Sequence, residues 1–128
     1  MHMLKLTSSR LKQLWGLLVA TIVLAALLPY LGIHTDIFDV FFNGHWVHFL
    51  AYVAVSFLPL LAWRRSTGVA ISLGMAVLGT GLEIVRAIVE VRTPDIQYIV
   101  INALGIAAGI LLGLNILTLR SRRSPANT

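Results

Sequence analysis

Cysteine is absent from the 128 residues, which excludes disulfide staples and thiolate metal sites and leaves the redox compartment unread. Charge is nearly as scarce: 12% of residues are Asp, Glu, Lys or Arg, and only five are acidic. A soluble domain this short needs a largely polar surface, and the residues to build one are missing. No nucleotide loop, nucleophile elbow or metal-ligand motif occurs, so no cofactor is expected and an enzyme is less expected than a binding or structural protein. What the chain has instead is apolar bulk, 58% hydrophobic with a mean hydropathy of +0.87. Lipid is the solvent that suits such a composition.

Bilayer hydrocarbon about 30 Å thick requires about 20 apolar helical residues to cross. Four stretches meet that need, at 14–31, 46–63, 69–89 and 96–119. The expected fold is therefore all-α, a polytopic membrane protein of four transmembrane helices in an antiparallel bundle over 14–119. Basic, polar tails precede and follow it at 1–13 and 120–128. The first stretch follows a basic segment as a signal peptide would. Its apolar run is too long, however, and its Pro29-Tyr30-Leu31-Gly32 exit is a poor cleavage site, so a retained anchor is expected.

Orientation follows from the charges. Lys5, Arg10, Lys12, Arg64, Arg65, Arg120, Arg122 and Arg123, eight of the ten basic residues, flank one side. Arg86 and Arg92 lie toward the other, together with every acid: Asp36, Asp39, Glu83, Glu90 and Asp95. Short loops rich in Lys and Arg stay in the cytoplasm, which predicts both termini inside. The net charge of +5 is then a topology signal, and no nucleic-acid partner is expected. Trp15 and Trp63 fall at the inner interface, with Tyr30, Trp46 and Tyr98 at the outer one. The apolar segment Ile37, Phe38, Val40, Phe41, Phe42 is expected to lie in the headgroup plane as a short helix, capped by Thr35 or Asp36.

Ionisable groups within a span cost a few kcal/mol each, about 3 on insertion scales, so their positions are informative. Residues three or four apart share a helix face. The second helix carries His45, His48, Tyr52 and Ser56 on one face; the third carries Glu83, Arg86 and Glu90; the fourth carries Asp95, Tyr98 and Asn102. The topology brings these sets to one depth, with Glu83 roughly 9 Å below the outer end of its helix. An outer-leaflet pocket of acid, base, imidazole, phenol and amide is the expectation. Its candidate ligand-binding residues are His48, Tyr52, Glu83, Arg86, Arg92, Asp95 and Asn102.

From His45 to Gly113 the chain resembles the VanZ-like family of small bacterial membrane proteins, named for a protein associated with teicoplanin resistance. The resembling pieces are His48-Phe49-xx-Tyr52, Glu83-xx-Arg86, Arg92-xx-Asp95-Ile96 and Asn102-xx-Gly105-xxx-Gly109. Each is weak alone; their order and spacing on successive helices carry the likeness. Family members often have Gln where Arg86 stands and acidic residues where Gln97 and Tyr98 stand. The resemblance implies a multi-pass fold, a plasma-membrane location and a cell-envelope role close to glycopeptide resistance.

Each polar residue also has a plainer reading. Glu83 and Arg86 form either a binding pair or an intrahelical ion pair that neutralises two buried charges. His48 is either a headgroup ligand or an interfacial aromatic hydrogen-bonded to Glu83. His45, His48 and Glu83 lack a third strong ligand at fixed spacing, so no metal is expected. Arg92 is either an anion clamp or the partner of Asp95 in a salt bridge closing the turn at Pro94. Asn102 either binds ligand or bonds across helices. Gly105, Gly109 and Gly113 form a small-residue stripe, matched by Ser72, Ala76 and Gly79, and the two stripes are expected to pack third helix on fourth. Pro59 is expected to bend the second helix. Three functions remain open: a pocket protein binding membrane lipid or another amphiphile, a non-enzymatic accessory subunit of a larger membrane complex, and, least expected, an intramembrane hydrolase using Glu83 and His48; homodimerisation or a partner subunit is the other use the glycine stripes could have.

Overall fold

A computed structural model describes residues 7–27 and 45–123 of the chain. These residues form four helices: α1 (Ser8–Leu27), α2 (His45–Ala62), α3 (Arg65–Val89) and α4 (Ile96–Arg123). Each is long and apolar enough to cross a membrane, and together they make an all-α, polytopic bundle. Several helices overrun the apolar stretches: α1 starts at Ser8, α3 at Arg65, and α4 continues to Arg123. At 1.5 Å per residue α4 is about 42 Å long, roughly 12 Å more than the hydrocarbon core. Its surplus carries Arg120, Arg122 and Arg123, all exposed. The expected interfacial helix at 37–42 and the end of the first span at 28–31 lie outside the described residues.

Helix α2 is the axis of the bundle, and the other three all pack against it. Its broadest contact is with α4, and the two run parallel. Gly105 lies against Phe49 and Tyr52, Gly109 against Val53 and Ser56, and Gly113 against Leu60, so both sequences descend together. Sequence neighbours run antiparallel, α2 turning into α3 through Trp63 and Arg64, and α3 into α4 through 90–95. The core is Tyr52, Val55 and Ile106, wrapped by Trp15, Leu18, Val19 and Ile22 of α1, Met75 and Ala76 of α3, and Ile110 of α4.

The glycine stripes correct one expectation. The stripe of α4 does not face that of α3; both face α2. A Cβ at Gly105 would lie 2.7 Å from the Phe49 carbonyl oxygen, and one at Gly109 would lie 2.5 Å from that of Val53. On α3, a Cβ at Gly79 would meet the Tyr52 hydroxyl at 2.8 Å, and Ser72 Oγ donates to the Ser56 carbonyl at 2.6 Å. A single helix receives both stripes because α2 carries the bulk, Phe49, Tyr52 and Leu60, that small residues accommodate.

Proline in a helix interior leaves the carbonyl four residues earlier without its amide donor. For Pro59 that carbonyl belongs to Val55, and Trp15 Nε1 donates to it at 2.9 Å. In a membrane the freed carbonyl has no water to turn to, so the indole of α1 satisfies it. Trp15 also meets the Trp63 ring edge-on at 5.3 Å, and Lys12 Nζ lies 5.3 Å from the Trp63 ring centre. A single tryptophan thus ties α1 to α2 at the basic end.

Candidate functional site

The opposite end of the bundle, at the 90–95 turn, holds the polar layer. Glu83, two turns before the end of α3, is 3% exposed. Its Oε1 accepts from Arg92 Nη1 at 2.7 Å and from the backbone N–H of Asp95 at 2.9 Å. Arg86 Nη1 approaches Oε2 at 3.7 Å. A buried carboxylate persists when its lone pairs are filled this way, because each donor replaces hydration lost on burial. Arg92 is therefore the principal partner of Glu83, and the expected intrahelical pair with Arg86 is the longer contact.

The turn is shaped to deliver Arg92. Arg92 N donates to the Ala87 carbonyl at 2.9 Å and Val91 N to that of Ile88 at 3.2 Å. This is the Schellman closure of a helix, which requires a left-handed residue between them. That residue is Val91, with φ 52°, where glycine is usual and a β-branched side chain is strained. The reversal turns Arg92 back over α3. Its guanidinium bonds Glu83, Glu90 and the Thr93 carbonyl. Those bonds, to Glu83 first and Glu90 second, raise the Arg92 pKa above its ordinary range. The expected Arg92–Asp95 bridge is replaced by these contacts. Asp95 instead starts α4: its Oδ1 accepts from Gln97 N at 2.9 Å, an N-cap.

Tyr98, one turn into α4, is the hub of the layer. Its ring centre lies 5.0 Å from that of His45 and 4.9 Å from that of His48 on α2. The Arg86 guanidinium of α3 lies 5.9 Å from the same ring centre. The sequence places Tyr98 at the outer interface and on the polar face of its helix but not among the candidate ligand-binding residues, although its position between Asp95 and Asn102 is the available signal. Tyr52 belongs to the apolar core below the layer. Asn102, the next residue inward on the Tyr98 face, is 6% exposed, and its Oδ1 has no hydrogen-bond partner. Separately, His45, Trp46 and Phe49 of α2 and Ile101 of α4 line an open groove of about 320 Å³. Among the described residues no three His, Asp or Glu side chains gather as a metal site.

The fold and site define a multi-pass helical membrane protein with a polar layer at one end, assembled from three helices around one phenol. Compared with known proteins, the chain matches no family model, no curated protein and no solved structure.

Proposed function

We propose that this is a VanZ-like protein of the bacterial plasma membrane, with both termini inside, whose outer polar layer binds the headgroup of an amphiphile. A lipid, a lipid-linked wall precursor and an amphiphilic antibiotic all have the required form. The reading is carried by one observation: His45 and His48, Arg86, and Tyr98 come from three helices to a single ring cluster beside the buried Glu83. A bundle that needed only stability would place Leu at these positions, since buried ion pairs are weak stabilisers compared with apolar packing. Glu83 and Arg92 hold the turn in place, while His48, Arg86 and Asn102 stand where a headgroup would enter. The test is genetic. Glu83→Gln and Arg86→Ala are expected to abolish a resistance or envelope phenotype at unchanged protein level, and full activity in both variants would overturn the reading.

A second reading, an accessory subunit, draws on α1. Ala25 is its one buried residue, and Leu14, Leu17 and Leu24 stand exposed on the face turned away from α2, where lipid or another chain can meet them. Purification in mild detergent separates the two. Stoichiometric co-purifying subunits support the second reading, and a lone monomer or homodimer counts against it.

A further inference from the structure

The end of the bundle opposite the polar layer is as one-sided in charge as that layer is mixed. Among the described residues every ion pair involves Glu83 or Glu90, so Lys12, Arg64, Arg65, Arg120 and Arg122, all exposed, have no acidic partner. Membrane topology asks only for the number of such cations. Here they also share a level. Leu60 of α2 lies against both Gly68 of α3 and Gly113 of α4, which fixes the register of three helices at this end. Arg64 and Arg65 lie about 5 Å beyond that level, and Arg120, seven residues past Gly113, lies about 10 Å beyond it. Two full turns on, Arg120 stands on the same face of α4 as Gly113, the face that packs on α2. Arg122 is about 200° further round the helix, on the far side. Side chains of a helix lean toward its N-terminus, which for α4 is back toward the bundle, so Arg120 leans over the α2–α3 turn. From α1, Lys12 Nζ lies 5.3 Å from the ring centre of Trp63, the neighbour of Arg64 in that turn.

Cations from α1, α3, α4 and the α2–α3 turn thus ring one spot, and an anion to match them must come from outside the chain. A single phosphodiester carries one negative charge and leaves most of the ring unpaired. A head with two phosphates gives the arginine forks separate sets of oxygens to hold. Because α4 outruns the hydrocarbon by roughly 12 Å, the ring stands at the depth of lipid headgroups. Leu14 of α1, 47% exposed, and Leu119 of α4, 52% exposed, offer apolar surface beside it. We propose that this end holds the head of a bilayer lipid bearing two phosphates, a diphosphatidylglycerol, seated over the α2–α3 turn. Arg64, Arg65 and Arg120 hold the phosphates, Lys12 completes the charge beside Trp63, and the acyl chains run along the bundle. The site is independent of the headgroup reading above, which concerns the opposite end.

The experiment offers the full chain, in a neutral detergent, equal amounts of dioleoylphosphatidylcholine, dioleoylphosphatidylglycerol and tetraoleoyl diphosphatidylglycerol. Retained lipid is counted by native mass spectrometry. Wild type is expected to retain the diphosphatidyl lipid about tenfold or more over phosphatidylglycerol. Arg64→Gln and Arg120→Gln should each cut that preference about fivefold, the scale of one cation at a lipid headgroup. Arg122→Gln removes the same charge from the far side of α4 and should leave the preference within about twofold. All three side chains are exposed, so the fold does not rest on them. A wild type that retains the one-phosphate and two-phosphate lipids alike overturns the inference. Equal losses in Arg120→Gln and Arg122→Gln overturn it too, since they mark a diffuse attraction with no site. Displacement of the lipid by inorganic pyrophosphate at equal concentration would show that the free anion is what binds, and overturns the bilayer occupant.

Discussion

Arg92 reaches back across the turn at 90–95 to donate to Glu83 at 2.7 Å, nine residues earlier, and so links the end of α3 to the start of α4. The same carboxylate oxygen accepts the Asp95 amide, which makes Glu83 the peg on which the hairpin hangs.

Removing Arg92 with Leu leaves a buried carboxylate with one backbone donor and a distant Arg86. A loss of about 2 kcal/mol is expected, the scale of a hydrogen bond to a charged group. Combining Arg92→Leu with Glu83→Gln should cost less than the sum of the single changes, with coupling of about 1 kcal/mol in a double-mutant cycle. Unfolding in detergent measures it, and strict additivity would show that the pair does not couple. Because bonds to the Glu83 and Glu90 carboxylates raise the Arg92 pKa, its share of the stability is fully present at neutral pH, where all three groups are charged. That share fades as pH rises through the elevated value, so a scan across neutral pH should leave it untouched.

The glycines divide into those that face α2 and those that do not. Gly105→Ala and Gly109→Ala push a methyl into backbone carbonyls of α2, which cannot yield without moving the helix. Losses of about 2 kcal/mol are expected, in the range of overpacking a close interface. Gly113→Ala meets the flexible Leu60 side chain and should cost less. Gly74 has no atom within 4 Å of a built Cβ, so Gly74→Ala should stabilise by about 0.5 kcal/mol through helix propensity. Equal effects at all four positions would contradict the packing described.

Val91 is 91% exposed and adopts a left-handed backbone, so its side chain gains nothing to offset the conformation. Val91→Gly is expected to raise stability by about 1 kcal/mol, the penalty an L side chain carries there. A lower melting temperature for this variant would mean that the side chain itself has a role at the membrane surface.

Orientation is testable because the chain has no cysteine of its own. With both termini inside, Thr93→Cys should react with a membrane-impermeant maleimide in intact cells, and Ser121→Cys only after lysis. The reverse pattern would place the polar layer on the cytoplasmic side.

The sequence by itself determined the four helices, their apolar character and the gathering of acids toward one end. These are read one residue at a time, since solvation in lipid and the 3.6-residue period depend only on local composition. Helix ends were less legible, as Ser8 and Arg123 show, because polar residues prolong a helix past the hydrocarbon. Only the tertiary structure decided which helix the glycines meet, that Trp15 completes the Val55 carbonyl freed by Pro59, and that Glu83 chooses Arg92 over Arg86. Spacing along one helix reports neighbours on that helix, whereas partners across a turn or a bundle depend on register and on a strained residue such as Val91. The Asn102 acceptor was visible as a polar residue in an apolar run; that it lacks a partner is a property of the packed seam.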